Sequence, residues 1–380
     1  MGQLRLSVLD QSPVPSGSTP ADALQNSISL ARHVDTLGYH RLWYSEHHAM
    51  DLLACTAPEI LLARIGAETK RIRIGSGGIM LPHYSPFKVA EVFRTLEAFY
   101  PGRIDLGIGR APGGGQLEAH ALRRIRTGPA PDDFPQQLAE LLAFLHPENF
   151  PPNHPFANIL VAPAPPTTTL SSRPERSAVE RPASPPSEPW ALGPGPALSP
   201  DVWLLGSSMW SAVTAAAEGL PYAFAHFFSP IQTRNAIEHY RANFTPSQYR
   251  HQPEPTLAIG VIVADTQAEA DRLHLSVKLL QRRIRMNDRR PVATPEEAAR
   301  ELEALPTAPN PLLAFTAGSL DEPESEFPRY VVGTPDKVHA DLTHIARELE
   351  LSELIVNTIT HSHEARRRSY SLLAEAFNLH

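Results

Sequence analysis

A closed (β/α)8 TIM barrel is the fold class that this 380-residue chain predicts. Three features point there. Eight short runs rich in β-branched and aliphatic residues alternate with amphipathic stretches, the pattern of a parallel sheet built from βα units. Eight such units in one chain favour a closed barrel over an open sheet. An open doubly wound sheet usually carries a G-x-G-x-x-G turn after its first strand, and here that strand runs into Asp10-Gln11-Ser12-Pro13.

The units follow in order. Arg5–Asp10 is the first strand. Thr19-Pro20-Ala21-Asp22 reads as an N-cap, a proline at the first helical position and an acid closing a capping box. The helix it opens runs to about Leu37 and stops at Gly38. The strand Arg41–Tyr44 precedes a helix over Pro58–Glu68. Ile72–Gly75 precedes a helix over Pro86–Phe99, and Arg103–Ile108 precedes one over Phe134–Leu145. Strands at Val202–Leu205, Tyr222–Ala225 and Thr256–Ala264 lead into helices at Ser211–Glu218, Ile231–Phe244 and from Gln267 onward. After a second long excursion over 280–334 come the helix Pro335–Leu349, the strand Leu354–Asn357 and the helix His363–Phe377.

One stretch breaks the pattern. Of 39 prolines, 15 fall between Pro147 and Pro200. Proline fixes φ and removes a backbone donor, so residues 161–200 cannot form a regular ladder. Because βα units flank it on both sides, the segment reads as a proline-rich insertion or disordered loop within one barrel domain spanning 1–380, rather than a linker between two domains.

Composition excludes several functions. A net charge of −7 argues against nucleic acid or an anionic membrane as partner. No apolar run is long enough to span a bilayer. A lone cysteine, Cys55, excludes an internal disulfide and a cysteine-rich zinc site, and fits a cytoplasmic location.

Barrel active sites collect at the C-terminal ends of the strands. There the sequence places Ser45, Glu46, His47 and His48 after the second strand, Gly77 and Gly78 after the third, Arg110 after the fourth, and Gly206, Ser207 and Ser208 after the fifth. A side-chain-free pair lets a flat group approach the backbone. An arginine and a hydroxyl-bearing helix start together suit a phosphate. Either histidine can serve as a base near neutral pH or as a hydrogen-bonded wall residue; alternation lets only one face the mouth easily. A metal site using these histidines with His226, His361 and His363 is set aside, since carboxylate ligands are scarce. The basic run Gln281–Arg290 reads as a solvated helix end, Trp203 as core and Trp210 as helix surface.

The strings Tyr44–His48, Gly75–Pro82, Pro101–Gly114, Gly206–Ser208 and Val331–Pro335 together resemble the bacterial luciferase-like flavin-dependent monooxygenases, over nearly the whole chain except about 161–200 and parts of 280–330. The resemblance implies the following. His47 acts near the flavin ring, with Glu46 beside it. Gly77 and Gly78 are joined by a cis peptide under that ring. Arg110 meets the flavin phosphate, with Ser207 and Ser208 next to it. It also implies reduced FMN as cosubstrate, dioxygen, a small organic substrate, a separate flavin reductase and a homodimer. Gly109 stands where luciferase has a reactive cysteine, so light emission is not implied. Two other readings remain: an F420-dependent oxidoreductase of the same superfamily, and a noncatalytic flavin-binding partner subunit.

Overall fold

The computed structural model describes residues 4–122, 133–151, 153–163, 199–304 and 325–380. Residues 164–198 of the predicted insertion lie outside the described residues, as do 305–324 of the second excursion. The described strands are β1 (Arg5–Asp10), β2 (Arg41–Tyr44), β3 (Arg73–Met80), β4 (Ile104–Gly109), β5 (Asp201–Gly206), β6 (Tyr222–Ala225), β7 (Pro255–Val263), β8 (Tyr330–Gly333) and β9 (Glu353–Asn357). Every pairing between them is parallel. β1 through β7 follow in sequence order, and β9 bridges β7 back to β1, closing an eight-stranded barrel.

The ninth strand was not expected. β6 pairs with the first half of β7 (Pro255–Ala258), and β8 takes over the second half (Gly260–Val263). β8 therefore extends the rim of the barrel rather than its circumference.

The helices are α1 (Pro20–Thr36), α2 (Pro58–Gly66), α3 (Pro86–Phe99), α4 (Gln116–Leu122), α5 (Phe134–Leu145), α6 (Met209–Glu218), α7 (Thr233–Ala242), α8 (Gln267–Arg285), α9 (Pro295–Ala304), α10 (Pro335–Glu348) and α11 (His363–Ala376). α1 opens with the anticipated capping box between Thr19 and Asp22. α4 and α9 were not anticipated. α4 buries no residue, and α9 buries only Pro295 and Ala298, with Leu302 packed beside them, too short a stripe to stand out in sequence. None of the described helices is long and apolar enough to cross a membrane.

Alternation along each strand separates two cores. Outward-facing residues such as Leu6, Val8, Leu42, Ile74, Leu106 and Val356 pack beneath the helices. A smaller cluster of Leu9, Trp43, Trp203, Ala223, Ala258 and Ile355 fills the barrel. Trp203 is core, as its place on the fifth strand suggested; its ring meets Trp43 edge-on at 5.3 Å. Below that layer, at the N-terminal ends of the strands, Arg41, Asp105 and Glu353 form a buried ionic floor. With the floor closed by charge and the middle by two indoles, the open end of the barrel is the C-terminal one.

Candidate active site

The chain leaving β2 supplies the first wall. Glu46 is fully buried. Its Oε1 lies 2.7 Å from His48 Nε2 and accepts from the Tyr84 hydroxyl at 2.7 Å, while Oε2 accepts from the Met80 backbone N–H at 2.9 Å. One carboxylate thus ties the end of β2 to the end of β3. His47 turns the other way, with Nδ1 3.1 Å from Ser45 Oγ and its N–H on the Cys55 carbonyl. The alternation expected of the two histidines is present. Burial, and then the neighbouring His48, push the His47 imidazole down to about 4. Its ring is therefore neutral at pH 7.

The second wall is the end of β3, which runs to Met80 and not to Gly75 as the sequence suggested. Gly77 and Gly78 sit opposite the single residue Gly107 of β4, a bulge between the pairs Ser76–Leu106 and Ile79–Ile108. The peptide joining Gly77 and Gly78 is cis. Packing beneath them explains why both are glycine. A Cβ at Gly77 would come 2.7 Å from Leu9 Cδ1 and 3.0 Å from Trp43 Cβ; one at Gly78 would come 2.7 Å from the Gly107 carbonyl oxygen. The first neighbour is a flexible side-chain end and the second is backbone. Gly78→Ala is therefore expected to destabilise the protein by about 1–3 kcal/mol through overpacking, and Gly77→Ala by less. Urea unfolding midpoints of the two variants check the order.

The third wall joins β4 to β5. Arg110, just past β4, places its guanidinium 4.5 Å from the centroid of the Trp210 ring. Trp210 is the second residue of α6, so Arg110 sits over the head of that helix, next to Ser207 and Ser208. Ser208 is the N-cap but its side chain makes no capping hydrogen bond. Among the described residues, the first-turn N–H groups of α6, which no helix can satisfy internally, have no side-chain cap. Arg110 is exposed, Ser207 partly buried and Ser208 exposed. Arg110 thus lies against Trp210, two residues past Ser208 in the same turn. Tyr84, which holds Glu46, and Trp210, which lies under Arg110, carried no sequence signal as site residues beyond their aromatic character.

Other candidates go elsewhere. His226 is buried between Thr233 Oγ1 (2.7 Å) and the Pro328 carbonyl (3.0 Å), and burial pushes it down to about 4. His361 faces Ser16. Asp10, at the end of β1, is locked to Arg366 at 2.7 Å. Cys55 is buried, and burial pushes its thiol up to about 12. The basic run Gln281–Arg290 ends a helix, α8, but is only partly solvated. Arg283 is 5% exposed and pairs with Glu301; Arg290 pairs with Asp288 and Glu301, and Arg289 with Glu118. These pairs tie the end of α8 to α9 and to α4.

The family model for luciferase-like monooxygenases matches residues 4–351. The chain belongs to that family. A luciferase-like monooxygenase of Escherichia coli (strain K12) is 34% identical over 369 residues, 97% of this chain and 96% of the relative. The N-acetyl-S-alkylcysteine monooxygenase of Bacillus subtilis (strain 168) is 33% identical over 375 residues, 98% of each. Among solved structures, apo-MsnO8 shares 43% identity with a TM-score of 0.81, covering 100% of this chain and 98% of that one. As a luciferase-like monooxygenase, the chain has the fold class and the family that its strand-end motifs implied.

Proposed function

We propose that this chain oxygenates a small organic substrate with reduced FMN and dioxygen, the reduced flavin arriving from a separate reductase. The observation that carries this reading is the meeting of Arg110 with the uncapped head of α6, beside the β3 bulge and the Glu46-His47-His48 turn. A guanidinium and free helix N–H groups are the donor set a phosphate monoester needs. The residues present therefore fit the FMN phosphate, with Ser207 and Ser208 beside it and the backbone of Gly77–Gly78 supporting the ring.

When bound, reduced FMN supplies the two electrons with which one oxygen atom of dioxygen enters the substrate and the other leaves as water. The chain supplies the rest. Neutral His47 accepts or returns a proton at its imidazole near the mouth. Glu46 positions His48 and the end of β3 through its hydrogen bonds. The buried indoles of Trp43 and Trp203 and the ionic floor keep water from entering through the other end of the barrel. The name of the Bacillus subtilis relative makes thioethers the first substrate class to screen.

A titration with FMN tests the reading. Arg110→Gln is expected to weaken binding about 10–100-fold, since hydrogen bonds to a charged group contribute about 1.5–3 kcal/mol. Tight binding of F420 in place of FMN, read from visible spectra, would shift the chemistry to hydride transfer without dioxygen. Equal FMN affinity in Arg110→Gln and the parent protein would remove the proposed phosphate site.

A further inference from the structure

Beside the His47–His48 turn lies an open cleft of about 570 Å³, lined by Gly115, Gln116, Leu117, Glu118, Asn287 and Arg289. It adjoins the proposed oxygenation site through the backbone. The His48 N–H donates to the Gly113 carbonyl at 2.9 Å, and Arg289 Nη1 donates to the carbonyl of Ala49, the next residue along, at 3.0 Å. The same Nη1 reaches Glu118 Oε1 at 3.2 Å. Both contacts use one nitrogen of the guanidinium. The opposite edge, Nε and Nη2, donates no hydrogen bond to any described residue. The Arg289 side chain is 26% exposed, and among the described residues that edge has no hydrogen-bond partner.

An ideal Cβ built on Gly115 would come 2.5 Å from Glu118 Oε2 and 3.0 Å from Arg289 Nη2. A side chain there would clash with Glu118 and crowd Nη2, and glycine avoids both. Leu117, 78% exposed, offers an apolar surface on the same cleft. Two parallel N–H groups beside an apolar side chain form a receptor for a carboxylate on an apolar tail, since the guanidinium fork matches a carboxylate in two-point contact. Two carboxylate positions are thus available on Arg289, and Glu118 occupies only the weaker, single-point one.

We propose that Arg289 is a specificity-determining residue that anchors a substrate carboxylate in this cleft and turns the oxidisable end of the molecule toward His47. The proposal rests on the reading of the barrel mouth as the oxygenation site. It makes the substrate class an organic acid with an apolar chain.

Calorimetric titration with hexanoate and phenylacetate, each against its methyl ester, tests this with and without FMN. The acids should bind the parent protein at least 10-fold more tightly than the esters. Arg289→Gln should erase that preference, and Arg289→Lys, which keeps the charge but loses the fork, should retain only part of it. Glu118→Ala gives an independent arm. Removing the competing carboxylate should tighten acid binding several-fold if Arg289 is a receptor, and should leave it unchanged if Arg289 only straps α4 to the β2 turn. Equal binding of acid and ester by the parent protein, or an acid preference that survives in Arg289→Gln, overturns the proposal. FMN affinity, measured in the same variants, separates the two readings: loss of acid preference with FMN binding intact bears on Arg289 alone, whereas an acid preference without any FMN binding leaves the receptor standing and removes the oxygenase.

Discussion

His47→Ala is expected to lower the rate of substrate oxygenation by about 10²–10⁴-fold, the span that a positioned general acid–base group contributes, while FMN binding changes little. The two readouts separate because the phosphate donors lie elsewhere, at Arg110 and the head of α6, whereas His47 stands on the β2 turn. The hydrogen bonds that hold that turn are made by other groups: Glu46 takes His48, Tyr84 and Met80, and the His47 backbone N–H, which alanine keeps, takes Cys55. The fold should therefore survive. The pH profile is the sharper test. An unperturbed histidine titrates near 6.5, but burial beside His48 brings this one down to about 4. A step that needs the neutral ring then runs at full rate from pH 8 down to about pH 5 and fails only as pH approaches 4. An acid limb centred near 6.5 and retained in His47→Ala would assign the proton to another group. Full oxygen uptake coupled to product in the variant would take His47 out of the mechanism altogether.

What the sequence could reveal tracks the distance over which each feature is decided. Strands such as Leu6–Leu9 and helices such as α1 are written locally, in alternation, caps and apolar stripes, and they were readable at nearly their observed bounds. β8 was not, because four residues become a strand only by pairing with the free half of β7, a tertiary event. The end of β3 was cut short for a related reason. Gly77 and Gly78 look like a turn in sequence, and only the Gly107 position across the sheet makes them a bulge. In the site, the Glu-His-His string and Arg110 are short motifs at strand ends. Their partners are joined through space: Tyr84 reaches Glu46 across 38 residues and Arg289 reaches Ala49 across 240. The same holds for the basic run, whose charges looked solvated until Glu301, Asp288 and Glu118 were placed against them.

The largest expected loss of stability comes from the barrel floor. Asp105 is fully buried; it pairs with Arg41 at 2.9 Å and with Arg73, and it accepts from Trp43 Nε1 at 2.8 Å. Burial works to raise its carboxyl, but the Arg41 and Arg73 guanidinia overcome that and hold it below the usual carboxylate range. Asp105→Ala leaves Glu353 as the remaining carboxylate on Arg41, strands the Trp43 N–H and opens space under both indoles. Removing one partner from a buried ion pair costs about 3–5 kcal/mol, a large share of the roughly 5–15 kcal/mol that holds a domain folded. Asp105→Asn, which keeps an acceptor for Trp43, should lose less. The pH dependence follows from the direction of the shift. A carboxyl lowered in the folded state contributes its stability above its unfolded value of about 3.9 and loses it as pH falls through the folded value. The gap between parent and Asp105→Ala, measured by urea unfolding, should thus be full at pH 7 and narrow below pH 4. A gap under about 1 kcal/mol at pH 7 would mean that the floor charges are as well served by water as by one another. In that case it is the Trp43–Trp203 layer above them, and not the ionic plug, that keeps this end of the barrel closed.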